Sequence, residues 1–459
     1  MRLSAAIAVL LLLVPHGAGA ETFTASNFSA KDVRFCDTPG VERPCAALPN
    51  DVVGFDSSFI YRFLSEGAQF PFDLFAWQTF AALNWPVDGD GQPLDVELGA
   101  RPAAARRWQR LARADDVLPT AETPGACGPE VPGTLSVATF RQADGLPLID
   151  RALNYVVYDV RMNAAARSYI ETNDLGTRAG QQAFRDAKKA VGFPLGRYDD
   201  TDARRGGGPG ALVIKSAWRV LAGRAAAEST DYFTRPGRIA VAAADSADGR
   251  ARCIKATLAL VAMHVARRTK SGNGDKWIWS TFERVDNAPL AANGREPNDL
   301  FEDEYFPGGC PAPQATARDY AFFRAGCDDC RPNRLPAANW TWAAAPPYAK
   351  NFQQPGGFGT QVTRCWRIWP GTSKINAFWR TRLAGTVWAN YRLLSAQWRG
   401  NYGGDEFFGN GEAPRFLANP AIETYGQERR DGTCLGCHAT ARTTAGQPAD
   451  FSFLLQRAR

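Results

Sequence analysis

The sequence predicts an α+β fold, a mostly antiparallel sheet with flanking helices, and three observations carry that prediction. The middle of the chain holds three runs rich in β-branched, aromatic or alternating residues, at 211–221, 254–267 and 276–285. Segments of helical period stand around them at 71–83, 164–172, 179–190 and 373–383. There is no internal repeat and no sustained β–α–β alternation, so a doubly wound sheet is not expected.

Taken in order, the chain opens with Met1-Arg2-Leu3, a short apolar run from Ala5 to Val14, and the triplet Ala18-Gly19-Ala20. One positive charge, an apolar run too short to span a bilayer and an A-x-A site together predict a removed signal peptide at 1–20, with Glu21 as the mature N-terminus. The expected location is therefore periplasmic or secreted.

Phe72, Phe75, Ala76, Phe80 and Leu83 recur at helical spacing, with Pro71 and Asp73 suited to the first turn. Asn84-Trp85-Pro86 ends that helix before Asp88-Gly89-Asp90-Gly91, which lacks the spacing and closing Glu of a calcium loop and reads as a hairpin turn. Asn154–Met162 is strand-like, and Arg204–Gly210 is a flexible junction without the lysine or hydroxyl of a phosphate loop. Thr386–Trp398 returns to strand-like alternation. The expected division is an N-terminal α+β subdomain at 21–205, a sheet-rich body at 211–413 and a C-terminal segment at 414–459.

Composition excludes some functions. Basic residues are spread along the chain rather than gathered in runs, so the formal charge of +6 does not indicate a nucleic-acid partner. No segment after the signal reads as a transmembrane span, which predicts no integral membrane span. Ten cysteines in an exported chain read as disulfides, and setting two aside leaves eight, which allow 105 pairings. Cys327 and Cys330 enclose two aspartates, which oppose a reactive thiolate, so that pair reads as structural.

The two cysteines set aside are in Thr433-Cys434-Leu435-Gly436-Cys437-His438, a C-x-x-C-H motif. Two thiols at this spacing add to the two vinyl groups of one haem, and the following His then offers an axial imidazole to the iron. One covalent haem c on Cys434, Cys437 and His438 is the expected cofactor. The second axial position is bounded by counting: past the signal, only His264, Met162 and Met263 remain as imidazole or thioether donors. His264 and Met263 are adjacent on an expected strand, so at most one can face the iron, and Leu258, Leu260 and Ala262 are expected on the His264 side.

Only 21 residues follow His438, too few for a class I cytochrome c fold, and Pro414, Pro420 and Gly426 oppose the long last helix of a four-helix bundle. A C-terminal loop carrying the haem against a larger body is expected instead. Phe75–Pro86, Trp277–Asn287 and Glu423-Thr424-Tyr425 ahead of the motif give the chain its likeness to known sequences. It resembles a secreted bacterial cytochrome-c-like family with a single C-terminal CxxCH haem motif. That resemblance implies c-type haem and export, carried by Cys434, Cys437 and His438, and it implies no substrate.

Two functions follow as expectations. One is an exported mono-haem electron-transfer protein closed by His264 or Met263 and meeting a redox partner protein. The other is a haem oxidoreductase, peroxidase-like or oxidising a small-molecule substrate, with an open distal site in the large body. Arg267, Arg268, Tyr391 and Arg392 are among the polar residues that could line such a site, and most of the 13 Trp are expected in the core.

Overall fold

The computed structural model describes residues 69–118, 125–196, 208–295, 318–334, 340–349, 357–399 and 412–459, apart from positions 130, 272–273, 328–329, 415 and 430–431, together with Cys310 and short pieces before residue 53. The expected signal segment and Cys36 lie outside the described residues. Helix accounts for 26% and strand for 28%, so neither a bundle nor an all-β barrel describes the molecule. The main strands are β1 (Val156–Met162), β2 (Leu212–Leu221), β3 (Thr234–Val241), β4 (Arg252–Ser271), β5 (Gly274–Arg284) and β6 (Tyr391–Arg399). The helices that matter most here are α1 (Phe70–Leu83), α2 (Ala164–Thr172), α3 (Arg178–Asp186), α4 (Pro370–Arg382) and α5 (Cys434–His438).

β1 pairs with β2, β2 with β4, β4 with β5 and β5 with β6, all antiparallel. β4 is 20 residues long and organises the rest: β2 follows one edge, while β3 and β5 share the other. Since β1 precedes residue 205 and β2 follows residue 211, the sheet runs across the expected junction. Short strands complete it, Ala112–Arg113 beside β1, Glu412–Ala413 beside β6, and Leu135–Val137 in parallel with β3.

Side chains alternate along a strand, so the register fixes two faces. Val160, Lys215, His264 and Thr281 stand in one cross-strand row, and Met162, Val213, Ala266 and Trp279 in the next. Ile214, Met263, Val265, Ile278 and Phe282 take the other face and form the main core with α1 and α4. Trp77 of α1 stacks on Trp379 of α4 at 5.5 Å and meets Phe282 edge-on at 5.1 Å, while Phe80 stacks on Phe282 at 4.2 Å. A helix wedged between a sheet and a second helix is apolar on all sides, as α1 is.

β4 also contains a bulge. Ala217 faces Ala262 and Trp218 faces Leu260, which leaves Val261 as the extra residue. This corrects the expectation for Leu258 and Leu260: the bulge reverses the alternation, and both join Met263 in the main core.

The His264 face is covered differently. α2, α3 and the C-terminal segment pack there, with Ala166, Ile170 and Phe184 meeting Trp277, Trp279, Leu435 and Leu455 in a second core. Asn163 and Thr177 cap α2 and α3 by accepting from Ala166 N and Gly180 N at 3.1 and 2.9 Å. Disulfides join Cys127 to Cys253, Cys310 to Cys365 and Cys327 to Cys330, and Cys45 is also disulfide-bonded. Such bonds persist in an oxidising compartment. Cys434 and Cys437 are not joined in a disulfide. Among the described residues no helix is long and apolar enough to cross a membrane.

Candidate functional site

A cavity of about 440 Å³ lies on the His264 face. Its floor is the sheet, through Tyr158 and Val160 of β1, Val213 and Lys215 of β2, His264 and Ala266 of β4, and Trp277 and Trp279 of β5. The C-terminal segment supplies the facing residues, Thr433, Cys434, Cys437, His438 and Phe451–Leu454. The chain has three histidines, and the two that follow residue 20 both line this cavity beside both thiols.

The motif itself folds as the short helix α5, in a segment otherwise made of turns, bends and the short 3-10 helices Thr424–Gly426 and Phe453–Arg457. Thr433 Oγ1 caps it by accepting from Gly436 N at 2.9 Å. Leu435 anchors it: its side chain is buried in the second core and its N–H donates to Gln397 Oε1 at 2.7 Å. Cys434 is buried with its sulfur 3.9 Å from Leu417 O, and Cys437 is exposed. Positions three apart share one side of a helix, so both sulfurs can serve one ligand.

His438 is oriented by its own wall. Nδ1 lies 2.8 Å from Phe451 O. A carbonyl only accepts, so Nδ1 carries the proton and Nε2 keeps its lone pair. The ring stacks obliquely on Trp279 at 4.0 Å and meets Phe453 at 4.9 Å. Although the ring keeps some surface towards the cavity, desolvation pushes its pKa down to about 4 against the opposing Phe451 bond, so it is neutral at neutral pH. The carbonyl is delivered by a strained turn. Asp450 and Phe451 both have left-handed φ, 47° and 62°, and Asp450 is held there by Arg268 Nε at 3.0 Å and Phe193 N at 2.8 Å.

The sheet side of the cavity is charged. His264, 5% exposed, places Nε2 3.3 Å from Glu423 Oε2, within ion-pair range but without hydrogen-bond geometry. Burial alone would raise the Glu423 carboxyl, but His264, Lys215 and the Asn419 N–H at 2.9 Å outweigh it and hold it below its ordinary value. Burial pulls the Lys215 ammonium down, with Glu423 opposing, and Nζ lies 5.0 Å from the centre of the Tyr158 ring. At the rim, Arg141 pairs with Asp245 at 2.7 Å and Arg457 with Asp115 at 2.8 Å.

The structure thus brings Cys434, Cys437, His438 and His264 together and places Met263 elsewhere, buried in the main core. Arg267, Arg268, Tyr391 and Arg392 do not line the cavity. Arg267 donates to Thr79 and Pro209, Arg268 pairs with Asp450, Tyr391 donates to Leu260 O at 2.8 Å, and Arg392 pairs with Glu283. Sequence reasoning gave no site role to the cavity residue Lys215, and it named Glu423 only within the Glu423-Thr424-Tyr425 likeness. The signal for Lys215 was a lysine within a mostly apolar strand, which also carries Ser216 and Arg219. Among the described residues, no group of three or more His, Cys, Asp or Glu is gathered to hold a bare metal ion. No protein-family model, curated protein or solved structure matches this chain, so its own geometry carries the functional reading.

Proposed function

We propose that this protein is an exported mono-haem c-type haem protein, and that its cavity admits a small molecule beside the haem, making it a haem oxidoreductase. One observation carries the reading: the C-x-x-C-H helix and the Lys215, His264 and Glu423 set line one cavity. The residues fit the group. Two thiols on one side of a helix suit its two vinyls, His438 keeps Nε2 available, and about 440 Å³ lies in the range of cofactor pockets. Disulfides and the N-terminal signal pattern support export.

Bound haem c supplies one-electron chemistry at its iron. The protein supplies the rest. Cys434 and Cys437 fix the ring covalently, and the Phe451 carbonyl fixes the tautomer of His438. Val160, Val213, Ala266 and Trp277 exclude water from the floor. His264, beside an ionised Glu423, is placed to hold or pass a proton at Nε2, and Lys215, Arg141 and Arg457 supply positive charge for anionic groups. A second reading, an electron carrier in which His264 would be a second protein ligand to the haem, draws support from the lack of a hydrogen bond at Nε2. The charged surroundings favour the first, because polarity and hydrogen-bond donors beside a haem help decide between small-molecule chemistry and electron transfer.

A pyridine haemochrome assay on the purified mature protein tests covalent attachment, expected in the wild type and lost in the Cys434→Ser, Cys437→Ser double variant. A sample with no covalent haem overturns both readings. Ferric optical and EPR spectra then separate them. A high-spin wild type that takes up cyanide is expected, whereas a low-spin wild type made high-spin by His264→Ala selects the carrier.

A further inference from the structure

Among the described residues, three of the places where buried charge gathers outside this cavity centre on Arg219, Asp73 and Glu283, and the first two are closed. Arg219 is answered by Asp150 and Glu228, each at 2.5 Å. Asp73 accepts from Gln69, Thr372 and Ala396 N. The third is open. Glu283, wholly buried, offers a single oxygen, Oε1, to both Arg364 at 2.5 Å and Arg392 at 2.9 Å.

Arg364 is 4% exposed, and its Nη1 has no hydrogen-bond acceptor. It lines a second, small cavity of about 10 Å³, between the β6 strand and residues 416–418, roughly the space of one water-sized sphere. Ser395, 1% exposed, lines the same cavity, and its hydroxyl also lacks a partner. Ser395 turns this way because β6 bulges at Leu394, between the pairs Leu393 with Phe282 and Ser395 with Thr281. Arg367 stands at the cavity as well, while its remaining wall is apolar, including Trp366 and Phe416. Glu283 is not part of that wall. Arg364 and Ser395 therefore border one small space, and each carries a buried donor without an acceptor. Buried donors left without acceptors are costly, and more so on a charged group.

We infer that this cavity binds a single monatomic anion of the halide class, held by Arg364 Nη1 and Ser395 Oγ. The anion accepts from both donors and offsets the surplus of guanidinium over carboxylate in the Glu283 cluster. A water molecule could accept from the same donors but would leave that surplus, and the test separates the two.

Crystals of the mature protein grown in bromide, measured at the bromine absorption edge, should show one anomalous peak within hydrogen-bond reach of both groups. Chloride NMR line broadening in solution should be saturable, displaced by bromide, and abolished in Arg364→Gln. Ser395→Ala, which leaves the Glu283 pairs intact, should weaken the affinity several-fold and covers the case in which Arg364→Gln does not fold. Density without an anomalous peak, or broadening that does not saturate, assigns the space to water and overturns the inference. The readouts are independent of haem, so they stand or fall apart from the oxidoreductase reading.

Discussion

At the scale of single residues, adjacent side chains take opposite fates. Met263 and His264 are neighbours in sequence, yet one fills the main core and the other lines the cavity. Met263→Leu conserves volume and should cost less than about 1.5 kcal/mol while leaving the haem spectrum unchanged. His264→Ala should change the spectrum or cyanide affinity, and an unchanged spectrum with unchanged ligand binding would remove His264 from the site. Asp73 gives a pH prediction. Burial raises its carboxyl from 3.8 to about 7, against the bonds from Thr372, Gln69 and Ala396. A folded value above the unfolded one means that its contribution is complete below the ordinary carboxylate pKa and is lost as pH rises through about 7. Relative to Asp73→Asn, the wild type should therefore lose on the order of a few kcal/mol of unfolding free energy between pH 4 and about 7, read from urea titrations.

At the scale of elements, what could be read in advance was local. α2 was legible to the residue at 164–172, because Asn163 is a cap residue and the helical period starts directly after it. β2, β4 and β5 were legible from their β-branched alternation. The Val261 bulge was not, since no glycine or proline marks it and its cause is pairing with β2, far away in the chain. The C-x-x-C-H spacing named three residues of the site, but Glu423 reaches His264 only through the packing of the C-terminal segment on the sheet, which no local pattern encodes. The same segment depends on its helix cap. Thr433→Ala should lower stability by about 1 kcal/mol and shift the urea midpoint without changing the haem to protein ratio. Loss of haem in that variant would mean that the cap also positions the thiols.

At the scale of the whole molecule, one sheet carries two unlike halves, a dry aromatic core on one face and a polar cavity on the other. The long β4 strand is shared by both, and the Cys127–Cys253 disulfide fastens its first turn of chain to a segment 126 residues earlier. Cross-links that close long loops restrict the unfolded chain most, so Cys127→Ala, Cys253→Ala should cost about 2–5 kcal/mol, seen as a lower thermal midpoint in the oxidised protein. A midpoint unchanged by the double replacement would show that residual structure in the unfolded chain already supplies that constraint. The bulge in β4 sets a further limit, on how this gene can vary. Deletion of Val261 would remove the extra residue and leave its neighbours on their present faces, but insertion or deletion of one residue elsewhere in β4 would put the side chains on one flank out of phase with their partners, offering leucines to the cavity or a histidine to the core. Natural variants should therefore change the length of the connecting loops freely and preserve the residue count of β4 on either side of Val261.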